Sequence, residues 1–167
     1  MFLATDKILE IEAKSATILQ SIYPTEVGVP VDLEKLLKTN GLTLKAGNFD
    51  DNSIAGAYDR SSQTIFISEN SPYQRNAFTI AHELGHHFLH RDLPNEVFYR
   101  LDADLINSPE KDQQEAEANW FAASLLMPRE SMIMYSSMFN KDIDKLAIVF
   151  AVSKTAMFWR LKNLKLV

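Results

Sequence analysis

The sequence predicts an α+β fold: a mainly helical domain in which a small three-stranded antiparallel sheet precedes a long histidine-bearing helix, with a short helical subdomain at the C-terminal end. Three features carry that expectation. Apolar residues recur at helical spacing on both sides of residues 42–68, three short segments inside that interval alternate apolar and polar residues, and a proline-initiated helical pattern follows them. At 167 residues the chain suits one domain with a small appendage, and the expected boundary makes 1–140 the main domain and 141–167 an appendage packed on it.

Taken in order, residues 4–22 place Ile8, Ile11, Ala16, Ile18, Leu19 and Ile22 at helical spacing with charges between them, and Pro24 ends the run. VPVDLEKLLKTNG predicts a second, short helix that starts at Asp32 or the turn before it. Asn40-Gly41 stops it, since glycine suits the left-handed residue after a helix. LTLKAGN, SIAGAYDR and QTIFIS read as the three strands, separated by Asp-Asp-Asn and Arg-Ser-Ser. Ser71-Pro72 offers a capping residue and a proline at the first helical position, opening a long helix through His90. Residues 91–110 are polar, hold Pro94 and Pro109, and predict an irregular loop. Residues 111–126 are helical until Met127-Pro128 breaks the pattern, and the C-terminal residues form two or three short helices.

Composition narrows the chemistry. Hydrophobic residues at 46% and charged residues at 23% are globular averages, so the chain folds rather than staying disordered. The absence of cysteine excludes disulfides, thiolate metal sites and cysteine nucleophiles, leaving His, Asp and Glu as ligands. MFLATDKILEIEAKSATILQ spreads its charges at helical spacing and lacks the apolar run of a signal peptide or membrane span, so no membrane partner and a cytoplasmic location are expected. The net charge of -5 is uneven: six Lys or Arg against two Asp give +4 in 141–167, leaving -9 for the body.

All four histidines lie in AHELGHHFLH, residues 81–90. On a helix, His82 and His86 project from one face with Cβ atoms about 5–6 Å apart, close enough for both imidazoles to reach one ion. Glu83 lies about 100° around the helix, placed to act on a water held at the same point. This is the chemistry of the H-E-x-x-H motif, in which the glutamate serves as base and then as proton shuttle. The rival reading is a polar face on an ordinary helix. Gly85 argues against it, because a glycine inside a helix costs about 1 kcal/mol relative to alanine unless something approaches the backbone closely. His90 continues the stripe but sits about 12 Å along the axis from His82, so both cannot bind one ion. Leu89 and Asp92 stand where another peptidase pattern has glycine and a third histidine; Asp92 is at most a spare ligand, and His87 and His90 read as packing or rim residues.

Catalytic zinc usually takes three protein ligands, and the third must be a carboxylate from another segment. EAEANWFAASLLMP, residues 115–128, is the candidate: Glu115, Asn119 and Ala122 share a face, and Ala116, Ala118, Ala122 and Ala123 keep that helix thin. Glu115 is placed to ligate while Asn119, one turn on, orients a ligating histidine. Glu117 lies about 200° around the helix from Glu115 and is expected to face elsewhere. The alternative for Glu115 is a solvated charge in a first helical turn, where the helix dipole favours it.

RNAFTIAHELGHHFLH followed by EAEANWFAASLLMP resembles the ImmA/IrrE family of zinc-dependent metallopeptidase-like proteins, which act on helix-turn-helix transcriptional repressors. The resemblance implies a zincin-like fold with a gluzincin-type site: His82, His86 and Glu115 as Zn²⁺ ligands, Glu83 as the catalytic glutamate, and Asn119 at a position that is Asn or Asp in the family. It implies a zinc endopeptidase that cleaves or inactivates such a repressor and so switches on stress-response or mobile-element genes. The alternative is a metal-binding regulator that sequesters the repressor without cleaving it, or binds DNA. Tyr58, Tyr73, His90, Tyr99 and Arg100 are open candidates for stabilising the developing oxyanion. An extended substrate is expected to lie beside an edge of the small sheet.

DIDKLAIVFAVSKTAMFWRLKNLKLV predicts helix, turn at Val152-Ser153, and helix, an arrangement resembling a helix-turn-helix, with Lys154, Arg160, Lys162 and Lys165 making it basic. Ala147, Phe150, Ala156, Phe158, Trp159, Leu161 and Leu164 read as core, so packing or repressor docking is favoured over direct nucleic-acid binding.

Overall fold

Ile11, Ser15, Ile18, Leu19 and Ile22 recur three and four positions apart, and together they bury one side of α1 (Thr5–Ile22), while Ala16 faces solvent. The structure is a computed structural model that describes residues 3–49, 54–91, 98–101 and 109–167. In α2 (Leu33–Thr39) the Asp32 carboxylate accepts from the Lys35 backbone N–H at 2.9 Å, a cap for one of the first turn's unpaired donors. Gly41, at φ +68°, supplies the left-handed residue that turns the chain away after Thr39.

The sheet departs from the expectation in strand number and direction. Four strands are described, β1 (Thr43–Gly47), β2 (Ile54–Asp59), β3 (Thr64–Ser68) and β4 (Phe98–Leu101), in the order β1-β3-β2-β4. β2 runs antiparallel to β3 and β4, but β1 pairs parallel with β3, Leu44 opposite Ile65. The sheet is therefore mixed. Alternation of side chains has the same period for either direction, and β4 occupies the edge of β2 that β1 would fill in an antiparallel meander. β4 also lies inside the interval read as an irregular loop. The next helix, α4 (Pro109–Leu126), starts two residues earlier than expected, on a proline whose missing N–H costs nothing in a first turn.

Between sheet and α4 runs α3 (Tyr73–Leu89), buried from Ala77 through His87 on nearly every side. Its N-cap is Pro72 rather than Ser71, with no side-chain cap. α3 packs most extensively on α4 and also on β2 and β3. Two glycines allow these approaches. A methyl group at Gly85 would lie 2.9 Å from Ala118 Cα, and one at Gly56 would lie 2.3 Å from Thr79 Cγ2 and 2.9 Å from the Phe66 carbonyl oxygen. The cost of Gly85 inside the helix is thus offset by close packing of α3 on α4.

α5 (Arg129–Met138), α6 (Ile143–Val149) and α7 (Lys154–Asn163) complete the described elements. A single apolar cluster runs from Ile11 and Leu19 through Tyr58, Leu84 and Phe121 to Phe150, Met157 and Leu161. Burying each large side chain of this kind contributes about 1.5–3 kcal/mol. Arg160, read as one of the basic tail's exposed cations, is instead 1% exposed. It forms an ion pair with Glu12 on α1, Nη2 to Oε2 at 3.0 Å, and its Nε donates to the Met127 carbonyl at 2.9 Å. Trp120 Nε1 also donates to Glu12, at 3.0 Å. Phe158 and Trp159, read as core, are 41% and 52% exposed, because the buried side of α7 is taken by Met157, Arg160 and Leu161. No helix among the described residues is long and apolar enough to cross a membrane.

Candidate metal centre

Helical spacing on α3 brings His82 and His86 together: their Nε2 atoms are 3.1 Å apart, and both rings are 1% exposed. α4 delivers the third group. Glu115 Oε2 lies 3.1 Å from His82 Nε2 and Oε1 lies 3.2 Å from His86 Nε2. Glu117 points away from this triangle, as 200° of helical rotation requires, but it is buried rather than solvated.

The Nε2–Nε2 separation of 3.1 Å is close to one edge of a tetrahedral ligand set, and Glu115 turns one oxygen toward each ring, at 3.1 and 3.2 Å. With bonds of about 2.0–2.1 Å, tetrahedral geometry spaces ligand atoms about 3.3–3.4 Å apart. The hydrogen bonds behind the rings make the same point. His82 Nδ1 donates to Asn119 Oδ1 at 3.0 Å, which directs Nε2 toward the triangle. Burial, outweighing contacts with Glu115, pushes the His86 imidazole below its ordinary 6.5, keeping it neutral. Two imidazoles and a carboxylate converging in a largely buried spot form a donor set suited to a divalent metal ion.

Glu83 is fully buried on the sheet side of α3, where a methyl group on Gly56 of β2 would come 3.7 Å from its Oε1. The edge strand β4 pairs with β2 at this point, Arg100 opposite Gly56.

A sequence pattern for the IrrE N-terminal-like domain matches residues 38–162, three quarters of the chain. The chain belongs to this family. It is 28% identical over 110 residues to the metallopeptidase ImmA of Bacillus subtilis (strain 168), an alignment that covers 64% of this chain and 61% of that protein. Its fold is similar to that of a Mycobacterium tuberculosis transcriptional regulator, with a TM-score of 0.63 at 16% identity, covering 95% of this chain and 47% of the other. The chain thus spans about half to three fifths of these relatives' lengths. The mainly helical α+β architecture with an H-E-x-x-H helix packed on the sheet is zincin-like, as family membership predicts.

Beyond the three ligand candidates, further residues pack around the cluster through hydrogen bonds that the sequence reading did not anticipate. His90, read as a packing or rim residue, is buried, with Nδ1 3.0 Å from His86 Nδ1 and Nε2 3.3 Å from Glu117 Oε2. Gln113 Nε2 donates to Glu117 Oε1 at 3.0 Å. The signals were present: a third histidine continuing the stripe, and Gln113 and Glu117 one turn apart on α4. His87 is also buried, with Nδ1 2.7 Å from the Tyr58 hydroxyl and Nε2 3.1 Å from Arg91 Nη2. Tyr58 is fully buried against His87, and His90 is committed to His86 and Glu117, so neither is placed as an oxyanion donor. Tyr73 is 63% exposed at the start of α3. Tyr99 and Arg100 lie on β4, and Asp92 falls outside the described residues.

Proposed function

We propose that this protein is a cytoplasmic zinc-dependent endopeptidase whose substrate is a helix-turn-helix transcriptional repressor, so that its action derepresses the genes the repressor silences. The observation that carries the reading is the triangle of His82, His86 and Glu115, with Asn119 behind one imidazole. His82, His86 and Glu115 would hold the ion, and two imidazoles plus one carboxylate form a set used by catalytic zinc. When bound, the ion supplies Lewis-acid charge, which polarises a carbonyl and lowers the pKa of water.

The chain's own residues do the rest. Glu83 accepts a proton from the attacking water as its oxygen bonds to the scissile carbonyl carbon. It then passes that proton to the nitrogen of the breaking C–N bond, so the two halves leave as acid and amine. Burial of Glu83 against β2 keeps bulk water from competing for that proton. The outer edge of β4 offers backbone groups to an extended substrate strand beside Glu83. In this reading 141–167 is an appendage on 1–140 that contributes packing or repressor docking, supported by the Arg160–Glu12 ion pair and the shared core. Sequestration of Arg160 leaves the tail a thinner phosphate footprint, which disfavours direct DNA binding.

The test is Glu83→Gln, with the purified protein mixed with candidate helix-turn-helix repressors from the same genome. The variant is expected to bind zinc like the wild type and to cleave about 10²–10⁴-fold more slowly, the usual worth of a general base. Cleavage by the variant at the wild-type rate refutes this mechanism. A wild-type complex that forms but yields no fragments, with or without chelator, replaces cleavage with sequestration.

A further inference from the structure

His90 and Glu117 are buried, ionisable and unused by the proposed chemistry. We propose that they form, with His86, a hydrogen-bonded relay that sets the tautomer and orientation of His86, making both of them positioning residues of the metal centre. The inference rests on the reading of His86 as a metal ligand and extends it to residues behind that ligand.

The argument is one of donors and acceptors. A carboxylate only accepts, so Glu117 Oε2, 3.3 Å from His90 Nε2, takes a hydrogen bond donated by that nitrogen. A neutral imidazole carries one N–H, so His90 Nδ1 is then an acceptor. Its neighbour at 3.0 Å is His86 Nδ1, which must donate. The proton of His86 is thereby held at Nδ1, and its lone pair is left at Nε2, the atom that faces Glu115 and His82. The opposite tautomer would aim an N–H at the same point and block ligation. Gln113 completes the relay by donating to the other oxygen of Glu117 at 3.0 Å, which fixes the carboxylate's rotation. His82 achieves the same result in one step through Asn119. A carboxylate behind a ligating imidazole is a common device; here a second imidazole is interposed, because Glu117 and His86 lie on different helices and His90, one turn beyond His86, spans the gap.

The full-length protein provides the test through two readouts that need no substrate. The first is zinc affinity by competition with a chromogenic chelator, using the metal alone. The second is the imidazole nitrogen spectrum of the metal-free protein, which distinguishes Nδ1–H from Nε2–H histidine. Glu117→Leu and His90→Leu are each expected to weaken zinc binding about 10–100-fold and to lose the pure Nδ1–H signature of His86 while leaving that of His82. The double replacement is expected to weaken binding no more than either single one, because both cut the same relay. His90→Asn, which keeps an acceptor for His86 Nδ1, is expected to restore most of the affinity. Should Glu117→Leu fail to fold, Glu117→Gln, of equal volume, carries the same expectations at smaller amplitude. Wild-type affinity with an unchanged His86 spectrum in these variants, or His90→Asn as weak as His90→Leu, overturns the relay. If wild-type protein binds no zinc, the metal-centre reading fails, whereas the nitrogen spectrum still decides the relay.

Discussion

Replacing Gly85 by alanine adds one methyl group where α3 and α4 touch, and its consequences follow from three distances. The new Cβ would sit 2.9 Å from Ala118 Cα and 3.2 Å from both Ala118 Cβ and the Ala118 carbonyl oxygen. Ordinary carbon–carbon contact is about 3.5–4.0 Å, so the helices must part by roughly 0.6–1.1 Å at this level. The obstacle is backbone, which cannot swing aside as a long side chain does. Overpacking of this kind costs about 1–3 kcal/mol, here in the upper half of that range, while alanine returns about 1 kcal/mol of helix propensity. A net loss of about 1–2 kcal/mol follows, or about 2–8 °C in melting temperature for a domain of this size. The same parting stretches the 3.1 and 3.2 Å edges from His82 and His86 to Glu115. Metal ligand distances tolerate only about 0.2 Å, so zinc affinity should fall about 10–100-fold, as when ligand placement is disturbed from behind. Thermal melting without metal and chelator competition with zinc measure the two effects separately. A variant that melts at or above the wild type and binds zinc as tightly would refute the claim that this contact sets the ligand geometry.

Two further perturbations probe other parts of the argument. Glu12→Gln leaves the Arg160 guanidinium buried without its carboxylate and should cost about 3–5 kcal/mol in denaturant unfolding, whereas replacing the pair together, Glu12→Leu with Arg160→Met, should cost less; a single variant within about 1 kcal/mol of the wild type would show that the pair does not fasten α7 to α1. Burial, followed by the charges of Arg91 and Arg60, presses His87 from 6.5 down to about 4. The unfolded chain therefore binds the proton more readily, so this contribution to stability is whole above pH 6.5 and is lost as pH falls toward 4. Allowing for solvent screening, the loss is about 1–2 kcal/mol. Urea unfolding across that interval should show a shallower pH slope for His87→Asn, and parallel slopes would count against the burial of a neutral His87.

Much of the candidate site was legible because its parts are local. The four-residue spacing of His82 and His86 guarantees a shared helix face, and the cost of Gly85 signalled a close neighbour before Ala118 was known to be it. Asp32 capped its helix as expected, and Gly41 ended it. The misreadings share a cause. Alternation in β1 marks a strand but not its direction, and β4 is only four residues in a proline-flanked, polar interval. Arg160 looked like one cation among four, since its partner lies 148 positions away. His90 and Glu117 were both named and then dismissed, because each was judged against the ion's position rather than against the other.

What the sequence by itself determined is therefore the set of faces: which residues each helix and strand presents together, a matter of 3.6- and 2-residue periods that need no partner. It determined the imidazole pair with its adjacent carboxylate and the alanine-thinned helix able to approach it. Only the tertiary structure decided which faces meet. It brought Glu115 to the histidine pair, joined Glu117 to His90, and withdrew Arg160 from the surface. The reason is that a period specifies an angle around one axis, while a contact depends on how two axes cross, and that crossing is set by packing summed over the whole core.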